Sequence, residues 1–197
     1  MNQSKVYLNL LIIAALVFGF ASFSLAQTEE KPRTEPNFDI TLQIVVGSNE
    51  AGRGELPQNL RSISQQLSSI FPYTTYRVAN TYMGRVGNNG SFEYKSLADL
   101  LSSPSNSASA SFLEWSIGNL RIGENVFVAN SFRFGARIPV NLALASGPGN
   151  TLTYEPIGLS LARVGVPVGT PTLMGTLSLP KTDGTLFLIM TANRSDH

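Results

Sequence analysis

The sequence predicts an α+β fold that is mostly β, an antiparallel β-sandwich-like body carrying one packed amphipathic helix. Three observations predict it. Only one stretch, Leu56 to Ile70, repeats its apolar residues at helical spacing. At least four later stretches alternate apolar and polar residues or run apolar over strand-length windows. Strong turn sequences, such as Gly87-Asn88-Asn89-Gly90 and Ser146-Gly147-Pro148-Gly149-Asn150, separate them.

The first 26 residues differ in kind from the rest. A short polar start with Lys5 leads into the apolar run Val6–Phe20, and Ser24-Leu25-Ala26 places small residues at −3 and −1 of a cleavage point. That is the layout of a secretory signal cut before Gln27, although Val6–Ala26 is also long enough to stay as an anchor across a bilayer of ~30 Å. The expected destination is outside the cytoplasm: periplasm or cell envelope in a bacterium, or the medium. Residues 27–36 (QTEEKPRTEP) have no apolar side chain and read as a flexible leader. One domain, residues 37–194, follows, and residues 195–197 form a tail. No later run approaches ~18 apolar residues, so no membrane span is expected after signal cleavage.

Ile40 to Val46 alternates and then runs apolar, as a strand would, and Gly47 to Gly54 breaks it. Leu56, Leu60, Ile63, Leu67 and Ile70 then recur at spacings of 4, 3, 4 and 3, with Gln58, Arg61, Ser62, Gln65 and Ser69 opposite. That predicts an amphipathic helix with Pro57 in its first turn and Pro72 at its end. Tyr73–Val86 is β-rich, and the Gly87–Gly90 turn sends the chain back through Ser91–Lys95. Leu97–Leu101 is expected to be a helical turn or loop, and Ser102–Ser111 a surface loop. Phe112–Ile122 has period two with a shift near Gly118 and a bulge or turn at Asn119. The cleanest alternation follows. Phe132, Phe134, Ala136, Ile138, Val140, Leu142 and Leu144 form a core face against Arg133, Gly135, Arg137, Pro139 and Asn141. Leu159-Ser160-Leu161 and Leu177-Ser178-Leu179 bracket a Gly/Pro-rich passage. Leu186–Met190 is apolar on both faces, as in a central strand.

Composition narrows the function by exclusion. The 14 Lys+Arg against 13 Asp+Glu give a net charge of +1, without the basic excess of nucleic-acid binders. Zero Cys removes thiolate metal sites, cysteine nucleophiles and disulfides, and the one His is the last residue. No cofactor or metal is expected, and no catalytic residue is assigned. The stretch Gly47–Gly54 has the strand–loop–helix context of a phosphate-binding loop, but Arg53 and Gly54 stand where Lys and Ser/Thr are needed. A serine triad would have to use His197, and no G-x-S-x-G elbow is present. The acids Glu93, Glu114 and Glu124 lie on alternating strands, as solvated faces carry them.

Two binding surfaces remain as candidates. Arg133 and Arg137 share the wet face of the long strand, with Arg121 nearby, and arginine forks suit an interaction surface. Tyr73, Tyr76, Tyr82 and Trp115 are the candidates for an aromatic ligand site.

Leu42–Val46, Leu56-Pro57, the Leu60/Leu67 helix and Phe71-Pro72-Tyr73-x-x-Tyr76-Arg77 together resemble a pattern in uncharacterised exported bacterial proteins: strand, L-P-x-x-L, helix, F-P-[YF]-x-x-[YF]. The closing Leu186–Ala192 is similar to the last strands of secretin-type domains, although the glycine-defined core of a full secretin barrel is absent. The resemblance implies a module related to periplasmic secretin-type or type II secretion components. Such a module would be a non-enzymatic envelope protein that binds an unidentified envelope protein, accessory to a secretion or envelope assembly. The alternative is a small-ligand or glycan-binding β-sandwich. The two differ in where the aromatics lie: clustered and partly exposed for a ligand, buried beside an open sheet edge for a protein partner.

Overall fold

The computed structural model describes residues 37–49, 54–101, 110–143 and 150–195. The expected signal peptide, the leader, residues 50–53 of the phosphate-loop-like stretch, most of the serine-rich loop, Leu144, residues 146–149 of the expected turn and residues 196–197 lie outside the described residues.

Eight strands form two four-stranded sheets: β1 (Asn37–Ser48), β2 (Thr75–Gly87), β3 (Gly90–Ala98), β4 (Ser111–Ile122), β5 (Val126–Ala143), β6 (Asn150–Pro167), β7 (Thr172–Ser178) and β8 (Thr185–Ser195). Sheet 1 has the order β2-β1-β8-β7 and sheet 2 the order β3-β4-β5-β6. Every ladder between named strands is antiparallel. The main core lies between the sheets, where Phe38, Ile40, Leu42 and Ile44 from sheet 1 meet Trp115, Phe132, Phe134 and Ile138 from sheet 2.

A second core lies on the far side of sheet 1. There Leu60, Ile63 and Leu67 cover Val45, Tyr76, Phe187 and Ile189. This explains why β8 reads as apolar on both faces: Leu186, Leu188 and Met190 enter the inter-sheet core while Phe187 and Ile189 meet the helix side. The helix itself departs from the expected span. A 3₁₀ turn, Gln58–Leu60, precedes helix α1 (Arg61–Ile70), and Pro57 stands before that turn with an extended ψ of 155°. Ile70, in phase with the buried row, is 61% exposed, and the next residue, Phe71, packs on Phe187 instead, with ring centroids 4.8 Å apart.

The alternation of sheet 2 is interrupted once, in three strands at one level. Inward residues run Leu113, Trp115, Ile117 and then Leu120 on β4. On β5 they run Phe127, Ala129 and then Phe132, Phe134 and Ala136, and on β6 Ile157, Leu159, Leu161 and then Val164. Asn119 (φ 51°) and Arg163 (φ 53°) lie on this line, in left-handed backbone. Because all three strands carry the extra residue, Gly118–Ser131–Ala162 and Leu120–Ala129–Val164 still pair in register. The shift expected near Gly118 is therefore a property of the whole sheet.

Three local expectations change. Leu97 and Ala98 continue β3, paired with Phe112 and Ser111, instead of forming a helical turn. Pro139, expected on the wet face, is buried. β4 ends its ladder at Phe112 opposite Arg137, so Pro139 has only β6 as neighbour and its missing N–H costs no bond on the other side. Leu142, expected in the core, is exposed, because it lies past that same end of β4. The Gly/Pro-rich passage between Leu161 and Leu177 carries the end of β6, to Pro167, and the start of β7, from Thr172, both of them edge strands.

Candidate functional site

The outer face of sheet 2 has no layer over it among the described residues. Since Leu113, Trp115 and Ile117 point inward, the intervening Phe112, Glu114 and Ser116 point outward. The same parity turns Arg133, Gly135 and Arg137 of β5 outward, with Pro156, Gly158 and Ser160 of β6 beside them.

The register assembles these residues into a shallow trough. Gly135 sits at its centre, paired with Glu114 on one side and Gly158 on the other. With no Cβ at either glycine the floor stays low, and the Glu114 side chain lies across it: a Cβ on Gly135 would stand 3.3 Å from Glu114 Cγ. Two open depressions meet there. One, about 670 Å³, runs toward Leu97, Phe112, Arg137 and Pro156. The other, about 580 Å³, runs toward Glu93, Arg133, Phe134 and Ser160.

The ends of the trough differ in chemistry. At the first, Leu97 and Phe112 are paired neighbours, 58% and 50% exposed, and the Phe112 ring meets Tyr154 edge-on with centroids 5.4 Å apart. Toward the other, Glu93 forms an exposed ion pair of 2.9 Å with Lys95, which is paired with Glu114 at the centre. The hydrogen bond to Glu93, with the nearby charges of Glu93 and Glu114, raises the Lys95 pKa above its ordinary 10.5. Arg133 and Arg137, four residues apart on β5, are held ~13 Å apart along the strand. Neither guanidinium makes a hydrogen bond or ion pair among the described residues. Arg121 lies farther along the same face, where its Nη2 donates to Asn130 Oδ1 at 3.1 Å. The three arginines singled out in the sequence thus share one face.

The four aromatic candidates do not share a pocket. Tyr73 and Tyr76 belong to the helix-side core, with ring centroids 6.2 Å apart. The Tyr73 hydroxyl is 2.7 Å from Thr185 Oγ1, and the Tyr76 hydroxyl donates to the Phe71 carbonyl at 3.2 Å. Tyr82 and Trp115 belong to the inter-sheet core, against Tyr94 and Phe92. Burial pushes the Tyr76 and Tyr82 phenols up from their ordinary pKa of 10.0. In the phosphate-loop-like stretch, Asn49 Oδ1 accepts from Thr74 N at 3.1 Å and ties the strand end to the start of β2. No cluster of three or more His, Asp or Glu forms among the described residues. No described helix is long and apolar enough to cross a membrane, which says nothing of strands.

Sequence reasoning passed over Leu97, Phe112 and Tyr154. The signal for Phe112 was present: it is a large apolar residue out of phase with Leu113, Trp115 and Ile117.

No protein-family model matches the chain, and no curated protein matches it in sequence. Among solved structures it is similar to secretin domains. The InvG secretin domain β-barrel of the Salmonella SPI-1 injectisome matches over 100% of this chain and 69% of that one, with 11% identity and a TM-score of 0.37. The type IV competence pilus secretin PilQ of V. cholerae matches over 96% of this chain and 65% of that one, with 13% identity and a TM-score of 0.38. An open-gate form of InvG gives 11% identity and a TM-score of 0.36. The chain spans roughly two thirds of these secretins, and the likeness is low in both identity and TM-score.

Proposed function

We propose that this chain is an exported envelope protein that acts without catalysis, by binding another protein as an accessory to a secretion or envelope assembly. The surface assigned to that contact is the outer face of sheet 2. One observation carries the reading: exposed Leu97 and Phe112 stand beside two arginines that have no hydrogen bond or ion pair among the described residues, over a floor of glycines. Apolar area supplies affinity, and arginine forks give orientation toward a partner's carboxylates or backbone carbonyls. The flat floor suits an extended segment of the partner.

The ligand or glycan alternative draws no support from the aromatics, because Tyr73 and Tyr76 are separated from Tyr82 and Trp115 by sheet 1 and three of the four are buried. The test is cross-linking and affinity capture from envelope extracts, followed by mass spectrometry. One co-purifying protein should recur. It should be lost with Arg133→Glu/Arg137→Glu and with Phe112→Ser, while circular dichroism stays unchanged. No recurrent partner, or equal capture by the folded variants, refutes the reading. Export is tested separately: the mature chain should begin at Gln27 in a periplasmic or medium fraction.

A further inference from the structure

The two long sides of the sandwich are unequal. On one side the β2–β3 hairpin joins the sheets, and the Tyr82 and Tyr94 rings close the gap at 4.9 Å. On the other side β6 and β7 are both edge strands. There Ile157, Leu159 and Leu161 point into the sandwich but remain only half-buried, as does Leu177 of β7, whereas Phe132 and Phe134 of the adjacent strand are buried. An apolar seam therefore runs beneath the free edge of β6. That edge is 18 residues long and, among the described residues, pairs with β5 alone. Long, apolar, unblocked edges are what folded proteins ordinarily protect or use for pairing.

The charges of β6 say what covers it. The strand holds one acid and one base, Glu155 and Arg163, and they stand four residues to either side of Leu159. An antiparallel pairing of β6 with itself, centred on Leu159, brings Glu155 of each copy to the bulge that carries Arg163 of the other. The same register sets Ile157 level with Leu161. A parallel pairing at equal register would put like charges together. Pro156, which has no N–H to give, is tolerated at an edge and removes at most one bond per copy.

We infer that a second copy of this chain pairs along β6 about a two-fold axis at Leu159, joining two copies of sheet 2 into one continuous eight-stranded sheet. The contact is isologous, so it closes on itself, uses up both free edges and covers both seams. It is separate from the outer-face contact proposed above. Capture from extracts tests that contact; the mass of the purified chain tests this one.

The experiment is light scattering and sedimentation on the purified full chain. Wild type should have about twice the 21.2 kDa of the chain, or the corresponding double after signal removal. Glu155→Arg and Arg163→Glu should each raise the dissociation constant about tenfold or more, since each replaces two attractions by two repulsions. The double variant Glu155→Arg/Arg163→Glu should restore dimerisation to near wild type. The chain has no cysteine, so Leu159→Cys adds a single thiol at the axis. It should cross-link to a dimer under mild oxidation, whereas Ser116→Cys on the outer face should not. A wild-type monomer at ~100 µM overturns the inference. So does a double variant as weak as the singles, or equal cross-linking by both cysteine variants.

Discussion

Leu67→Ala and Ile70→Ala make a matched pair, because the helical pattern treats the two positions alike and the structure does not. Leu67 is fully buried with Leu60 and Ile63 over Val45, Phe187 and Ile189, whereas Ile70 is 61% exposed. Truncating Leu67 removes three carbons, worth ~0.8 kcal/mol each on transfer, and leaves a cavity against strands that cannot collapse onto it. The expected cost is about 3 kcal/mol, or about 6–12 °C in Tm for a chain of this size. Ile70→Ala should stay within about 0.5 kcal/mol, as exposed substitutions do. Urea unfolding followed by far-ultraviolet circular dichroism gives the free energies. Fluorescence of Trp115, which lies in the other core, reports whether the sandwich unfolds with the helix. Equal destabilisation by the two variants would refute the placement of the second core. So would a Leu67→Ala variant as stable as wild type.

Gly84→Ala should cost about 1–3 kcal/mol, because its Cβ would meet the Phe92 ring, which Tyr94 and Trp115 hold in place; a stability equal to wild type would contradict that packing. Lys181→Gly should raise the urea midpoint by the equivalent of about 0.5–1 kcal/mol, since Lys181 is held at φ 57° and glycine adopts that region without a Cβ clash. Stability should be level through about pH 7–9 and fall above pH 10, because Tyr82 and Tyr76 have pKa values raised above 10.0, by burial first and by neighbouring Tyr94 and Tyr73 second. The sign follows from the unfolded phenols ionising first: the contribution is complete below pH 10 and is lost as pH rises through the folded values. Tyr82→Phe should flatten that alkaline decline, and an unchanged decline would remove Tyr82 as its cause.

Much of the fold was legible because the local patterns agreed with the tertiary contacts. The run Leu186–Met190 announced a strand buried on both faces, and it lies between β1 and β7 with a core on either side. The Asn88-Asn89 turn announced the β2–β3 hairpin, and Asn89 there takes the left-handed φ of 59°. Strand β6 was harder to read. Its prolines and glycines mimic loop sequence, but an edge strand tolerates both, and it is held by continuous pairing with β5. Pro139 and Leu142 changed sides for a related reason. Their parity was readable, but the end of the β4 ladder at Phe112 was not.

The candidate site was legible in its charges and not in its shape. Arg133 and Arg137 were set on one face by phase alone, because alternation along a strand decides which face a side chain takes, whereas Arg121 was placed only as a neighbour. Which strands stand beside β5 is a matter of long-range pairing, and that pairing sets Gly158 against Gly135 and brings Tyr154 to Phe112. The aromatics show the same division. Sequence identified Tyr73, Tyr76, Tyr82 and Trp115 as large, amphipathic side chains, but only the stacking of helix on sheet and sheet on sheet assigned them to two separate cores. The sequence by itself therefore determined the elements, their apolar faces and the poverty of catalytic groups, all of which depend on neighbours within a few residues. The tertiary structure alone decided which faces were covered, because burial depends on strands far apart in the chain coming together in one register.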